Sequence, residues 1–287
     1  MNGESVGDGT VGGKTAALLS AVHATGPFAV AYSGGVDSAL VLAAGVRALG
    51  PDGVLAVTAV SESLASGELG GARALADDLG VVHLAPRTEE LKRPGYRANG
   101  PDRCYFCKSE VLDTIAAVAR DHGFDLVATG TNADDAADPF RPGIRAGRER
   151  GIRTPLLDAG LTKADVRAVS RLWSLPTWDK PATPCLASRI RYGVPVTPHR
   201  LARVDLAETA VRRVLYRAGL RSEQLRVRDL GDTVRVELDT EVATAAAALP
   251  SIAQAVAEAG FGATPVVVDG FVSGRLNHER HPATEES

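Results

Sequence analysis

The sequence predicts an α/β chain, a parallel doubly wound sheet domain followed by a smaller α+β domain, and three observations carry that expectation. Phe28-Ala29-Val30-Ala31-Tyr32 is an apolar run that passes through Ser33-Gly34-Gly35 into a helical pattern with Leu40, Val41, Ala44 and Ala48 on one face. Further apolar runs then alternate with helical patterns, as parallel strands joined by right-handed crossovers do. From Thr197 the grammar changes to a helix, two alternating runs about Gly231-Asp232, and an Ala-rich helix.

In chain order, residues 1–13 are Gly-rich, polar and without periodicity, and are expected to be flexible. Gly13-Lys14-Thr15 ends like a phosphate-binding P-loop, but Asp8 stands where its first glycine belongs and no strand precedes it. A short helix is expected over 14–24. After the helix that follows Ser38 come a strand at Val54-Leu55-Ala56-Val57, a helix with Ala72, Leu75, Ala76 and Leu79 inward, and a short strand at Val81-Val82. A helix with Val111, Leu112, Ile115, Val118 and Ala119 on its apolar face follows Cys107, and Asp125–Gly130 reads as the next strand. Arg141, Arg145, Arg148, Arg150 and Arg153 fall in a short stretch expected to be irregular, which reads either as solvated surface or as a wall for a phosphorylated substrate. Thr162 and Asp165 form a capping-box pattern at the head of a helix over 162–173, and Pro176, Pro181, Pro184, Pro195 and Pro198 then break regular structure. The boundaries follow: the sheet domain over 14–196, the α+β domain over 197–278, and a flexible tail over 279–287. Within the second domain, Leu225–Arg228 and Val234–Leu238 read as a hairpin with one solvated face. An Ala-rich helix over 242–258 and a strand at Val266–Val268 complete it.

At 287 residues, with 45% hydrophobic and 23% charged residues, the chain has the composition of a globular protein with ample core. A net charge of −3 argues against the broad basic face of a nonspecific nucleic-acid binder. No apolar run is long enough to span a bilayer, and the first residues lack a signal-peptide pattern, so a cytoplasmic protein without a membrane partner is expected. Three cysteines, Cys104-x-x-Cys107 and Cys185, suit metal or reactive-thiol chemistry better than a disulfide framework.

The chemistry begins at Ser33-Gly34-Gly35-Val36-Asp37-Ser38. Glycines without Cβ atoms at a helix N-terminus let an anion approach unpaired N–H groups, and Ser33 and Ser38 add hydroxyl donors. Asp37 would repel a bound phosphate unless a cation such as Mg²⁺ lies between them. Gly130-Thr131-Asn132-Ala133-Asp134-Asp135 is polar and Gly-led, suited to a second wall of a nucleotide site. The helix dipole, Arg103 and Lys108 favour thiolate at Cys107. The three thiols leave three readings open: zinc completed by a His or Asp, disulfide exchange, or three irons of a [4Fe–4S] cluster whose fourth iron binds exogenous sulfide.

The loop Ser33–Ser38 resembles the SGGxDS loop of the PP-loop ATP pyrophosphatases, which cut ATP between its α and β phosphates and leave AMP on an oxygen of the substrate. Arg103–Lys108, Gly130–Asp135, Arg141–Arg145, Leu161–Lys163, Trp178–Pro181 and Cys185–Gly193, in this order, resemble the LarE family over roughly residues 25–278. That resemblance implies an ATP-dependent sulfur transferase of nickel-pincer nucleotide biosynthesis for lactate racemase. It would adenylate carboxylates of pyridinium-3,5-biscarboxylic acid mononucleotide and turn them into thiocarboxylates. Members with all three cysteines resemble cluster-using enzymes, so Cys104, Cys107 and Cys185 would be catalytic and hold a [4Fe–4S] cluster; members with only the cysteine matching Cys185 sacrifice its sulfur. The resemblance further implies ATP and Mg²⁺ at Ser33, Gly34, Gly35, Asp37 and Ser38, substrate or phosphate at Lys108, Ser188, Arg189, Arg226 and Arg228, and a homohexamer. Arg191 and Pro184 depart from the family pattern, which commonly has Pro and a small residue there. The rivals are a tRNA thiolation enzyme, against which the acidic charge and the valine of the loop stand, and a non-catalytic nucleotide or iron–sulfur carrier.

Overall fold

A computed structural model of the chain describes residues 10–137 and 141–278. The stretches expected to be flexible, 1–9 of the N-terminus and 279–287, lie outside the described residues. Helix α1 (Val11–Thr25) begins three residues earlier than expected, because the Thr10 hydroxyl caps it by accepting from the Gly13 N–H at 3.1 Å. Strand β1 (Phe28–Ala31) leads into α2 (Val36–Leu49), and β2 (Val54–Val57) into α3 (Glu68–Asp78). Strand β3 is His83–Leu84, two residues beyond the expected Val81-Val82; the Val82 carbonyl still accepts from Ala56. The one-turn helix α4 (Pro94–Arg97) precedes α5 (Arg103–Asp121), β4 (Val127–Ala128) and α6 (Ala133–Ala137). The arginine stretch is not irregular: Pro142 starts α7 (Pro142–Glu149), since proline has no N–H to leave unpaired in a first turn. After α8 (Pro155–Asp158), α9 (Lys163–Leu172) opens with the expected capping box, the Thr162 side chain accepting from the Asp165 N–H and Asp165 from that of Thr162.

Beyond the proline-rich loop, α10 (Pro198–Arg217) is capped by Thr197 and buries Leu201, Val204, Ala207, Val211 and Leu215. Strands β5 (Arg226–Asp229) and β6 (Val234–Leu238) form the expected antiparallel hairpin. The Ala-rich helix is split by Pro250 into α11 (Thr240–Ala247) and α12 (Pro250–Val256), with a 93° bend between the first and the helical segment that ends at Phe261. Strand β7 (Val266–Gly270) and the short α13 (Arg275–His278) close the chain. No single helix among the described residues is long and apolar enough to cross a membrane.

The described residues form two compact units: 10–61, 66–90, 104–137 and 141–183 make one, and 62–65, 91–103 and 184–278 the other. In the first, an all-parallel sheet has the order β3-β2-β1-β4. Alternate strand residues point to opposite faces, and helices cover both. Phe28, Val30 and Tyr32 pack with Leu40, Val41, Ala44, Val166 and Val169, while Ala29, Leu55, Val57 and Val127 pack with Leu112, Ile115 and Ala119. Chain order reverses between β1 and β4, and at such a point a doubly wound sheet leaves a crevice beyond its strand ends.

The second unit holds a mixed sheet, β5-β6-β7, with β6 and β7 parallel. The hairpin has no solvated face. Of the four side chains that alternation assigned to water, Arg226, Arg228 and Glu237 are each less than 10% exposed and Arg235 is half-buried. Arg228 and Glu237 pair at 2.8 Å, so the charges are buried together rather than hydrated.

Candidate functional site

The Ser33–Ser38 loop leaves β1 at the reversal point, and glycine is required there twice. Gly34 has φ 71°, a left-handed conformation that a Cβ disfavours, and a Cβ on it would lie 3.1 Å from that of Ala72 on α3. Gly130, just past β4, lies against the start of α2, where its Cβ would come within 2.7 Å of the backbone of Asp37 and Ser38. Gly35 caps α2 without any side-chain bond to its first turn. The loop closes on itself: the Ser33 N–H donates to the Ser38 hydroxyl at 3.2 Å, the two hydroxyls lie 3.2 Å apart, and Ser38 donates to the Gly35 carbonyl. Thr131 meets the Thr129 hydroxyl at 3.1 Å. Ser33, Gly34, Gly35, Asp37, Ser38, Gly130 and Thr131 are thus brought together in one unit.

Two lysines that sequence reasoning did not single out complete this site. Lys163 Nζ is 2.5 Å from Asp37 Oδ2, while the Asn132 amide donates to Asp37 Oδ1 at 3.0 Å. Asp37, expected to meet Mg²⁺, therefore has an ammonium at its side. Lys180 Nζ donates to the Gly34 carbonyl at 3.1 Å and to Glu68 of α3 at 2.9 Å. Both lysines stand in the quoted stretches Leu161–Lys163 and Trp178–Pro181, yet they act across 126 and 146 residues, where no local pattern reports on them. The loop is thus a concave backbone surface flanked by two ammonium groups, an arrangement that suits a polyphosphate.

Beside it, the Thr58 hydroxyl donates to the Tyr32 carbonyl at 2.7 Å and must therefore accept from His83 Nε2 at 2.8 Å. Burial pushes the Tyr32 phenol up to about 12. Burial, with Arg73 nearby, pulls His83 below its usual value against the opposing pull of Asp77.

Cys104 and Cys107 lie one turn apart at the start of α5, Cys104 exposed and Cys107 half-buried. The next residue, Lys108, is held below the usual lysine range by burial, with Cys107 acting against it. Arg103, expected to favour a thiolate at Cys107, instead commits its guanidinium to Asn99 Oδ1 at 2.7 Å and the Ala187 carbonyl at 2.8 Å. The arginines in and flanking α7 are largely engaged by their own unit: Arg141 pairs with Asp135 at 2.8 Å, Arg145 lies 4.3 Å over the Tyr105 ring, and Arg150 pairs with Asp113 at 2.7 Å.

In the second unit Cys185 is exposed and caps the turn Leu186–Arg189, its carbonyl accepting from the Ser188 hydroxyl at 2.7 Å. Arg189 does not face outward. It is 1% exposed, pairs with Glu208 at 2.9 Å, and donates to the Pro184 carbonyl and the Ser188 hydroxyl. Arg228 donates to the Ser188 carbonyl at 3.1 Å, and Arg226 to that of Leu225 at 2.8 Å. Burial and the charge of Arg189 pull Arg226 down to about 10, Glu208 and Glu237 opposing and Arg228 reinforcing the fall. The residues expected around Cys185 do gather, but as the frame behind its loop. None of the three cysteines forms a disulfide, and they divide two and one between the units. Among the described residues, no group of three His, Cys, Asp or Glu side chains is placed to hold a metal ion.

No family model matches the chain. It is 32% identical over 269 residues, 93% of this chain and 95% of the relative, to pyridinium-3,5-bisthiocarboxylic acid mononucleotide synthase of Lactiplantibacillus plantarum. It is 43% identical over 251 residues, 86% of this chain and 91% of the relative, to an uncharacterized protein of Synechocystis. A third relative, an uncharacterized protein of Methanocaldococcus jannaschii, is 26% identical over half of the chain.

Proposed function

Because the chain belongs to the family of pyridinium-3,5-bisthiocarboxylic acid mononucleotide synthase, we propose that it is an ATP-dependent sulfur transferase acting on a pyridinium mononucleotide that carries carboxylates. The observation that carries this reading is the Gly34/Gly35 loop at the reversal of the parallel sheet, with Lys163 and Lys180 beside it, in a chain that also exposes Cys185 on a braced turn. A substrate carboxylate oxygen attacks the α-phosphorus of ATP, and the bond to the departing pyrophosphate breaks. The loop N–H groups, Ser33, Ser38 and the two ammonium groups stabilise the charge that develops on the leaving oxygens. Mg²⁺ accompanying ATP supplies further neutralisation, and Asp37 is the residue that would hold it, in exchange for Lys163.

Sulfur then replaces the activated oxygen. The Cys185 thiolate attacks the acyl carbon and AMP leaves with the C–O bonding electrons, giving a thioester. Removal of the Cys185 α-proton expels the sulfur from its β-carbon, which yields the thiocarboxylate and dehydroalanine at 185 without an external reductant. Among the described residues no group of three His, Cys, Asp or Glu side chains is placed to hold a metal ion, and the three cysteines that would hold a cluster fall in different units. No step is therefore routed through a cluster, although Cys104 and Cys107 offer two thiols one turn apart. A homohexameric assembly and a cytoplasmic location belong to the same reading.

The test is incubation with ATP, Mg²⁺ and pyridinium-3,5-biscarboxylic acid mononucleotide, following pyrophosphate and the masses of substrate and protein. Pyrophosphate release, a thiocarboxylate product and loss of sulfur at position 185 are expected. Pyrophosphate release only with tRNA overturns the substrate. Repeated turnover by wild type after anaerobic loading with iron and sulfide, with the sulfur of Cys185 retained by mass and with the activity lost in Cys104→Ala, overturns the thiol route in favour of a cluster.

A further inference from the structure

The loop that carries Cys185 has almost no regular structure, yet many of its backbone carbonyls are engaged by buried side chains. Arg189 takes those of Pro184 and Cys185, Arg103 that of Ala187, and Arg228 that of Ser188. Three further carbonyls face a single residue. Asn99 is fully buried, and its amide nitrogen lies 3.4, 2.9 and 2.7 Å from the carbonyl oxygens of Ile190, Arg191 and Val194. Its side-chain oxygen accepts from Arg103, and its own carbonyl accepts from the Gly193 N–H at 3.1 Å. Asn99 is also one of two described residues other than glycine with positive φ, at 55°. Asparagine tolerates that conformation better than most residues, but it still costs free energy, and such strain collects where geometry has to be held.

We propose that Asn99, with Arg103 behind it, is a positioning residue for the Cys185 thiol: it fixes the backbone on the C-terminal side of the turn and leaves the sulfur itself unencumbered. This rests on the reading of Cys185 as the reacting thiol and adds to it the group that sets where that thiol stands. The arrangement has a chemical rationale. A side chain that is attacked, acylated and then stripped of sulfur cannot help to hold its own loop, so the bracing comes from elsewhere. An asparagine amide suits the task because it combines two donors for carbonyls with one acceptor for Arg103 in one rigid plane. Aspartate has the same shape and no donors.

The experiment compares wild type with Asn99→Asp, and with Asn99→Gly as a second variant that relieves the positive φ but removes the clamp. Amide hydrogen exchange over 185–196 is read by mass, beside the single-turnover rate constant for sulfur transfer and the ATP concentration that half-saturates it. The expected result is exchange at least about tenfold faster in that segment, a single-turnover rate lower by up to about a hundredfold, and a half-saturating ATP concentration within about twofold of wild type. A wild-type single-turnover rate in a variant whose loop exchanges rapidly overturns the proposal, as does unchanged exchange in both variants. The exchange measurement does not depend on which sulfur is transferred. Retained transfer in Cys185→Ala would therefore strike the underlying reading, whereas rapid exchange with retained transfer strikes only the role of Asn99.

Discussion

The Ser33–Ser38 loop and the Cys185 loop are built in opposite ways. The first is made from six consecutive residues whose own backbone, two glycines and two hydroxyls form the concave surface, with distant groups added at its rim. The second is shaped almost wholly by side chains from far along the chain, Asn99, Arg103, Arg228 and Glu208 among them, and by one buried arginine of its own. A site for a recurring ligand, a polyphosphate, can be assembled from local backbone geometry. A site that must present one thiol has no backbone motif to draw on, and it spends buried charge instead.

Substitutions in the two loops should therefore fail differently. The largest effect is expected from Arg189→Met, which removes the cation paired with the half-buried Glu208 and the side-chain donor to the Pro184 carbonyl. Loss of about 3–5 kcal/mol is expected in urea unfolding, and a smaller loss than about 1 kcal/mol would mean that the charged frame is not what holds the second loop. Gly130→Ala comes next. The added methyl meets backbone rather than a movable side chain, so destabilisation of about 1–3 kcal/mol should accompany loss of ATP binding in calorimetry. Unimpaired ATP binding would separate Gly130 from the nucleotide site. The smallest effect concerns His83. Its folded pKa lies below the ordinary 6.5, so its contribution is complete above 6.5 and is lost as pH falls through the lower folded value. Wild type should lose a few tenths of a kcal/mol more than His83→Gln between about pH 8 and about pH 5, and parallel curves for the two proteins would remove His83 from this account.

The contrast also explains what the sequence made legible. The strands β1 and β2 of the parallel sheet, the glycine loop and the capping box at Thr162 are written in residues a few positions apart, and each stands where expected. Helix α7 was missed because a run of arginines masks the proline that starts it. The solvated face assigned to the hairpin was wrong because alternation reports polarity, and polarity means exposure only while charges lack buried partners; here Arg228 has Glu237. Lys163, Lys180 and Asn99 were passed over for a common reason. Each acts on a group about 90 residues away or more, and the chain between carries no trace of the pairing.

Asn99 has a consequence for the order in which the molecule can be made. The carbonyls that hold it in its left-handed conformation belong to residues translated 91 to 95 positions later. On the ribosome the strands of the parallel sheet, complete by Ala128, can pair while that asparagine still has nothing to grip. The Cys185 loop is thus a late event in biogenesis, and a nascent chain stalled before Val194 would carry a formed glycine loop while the segment around Cys185 still lacked its clamp.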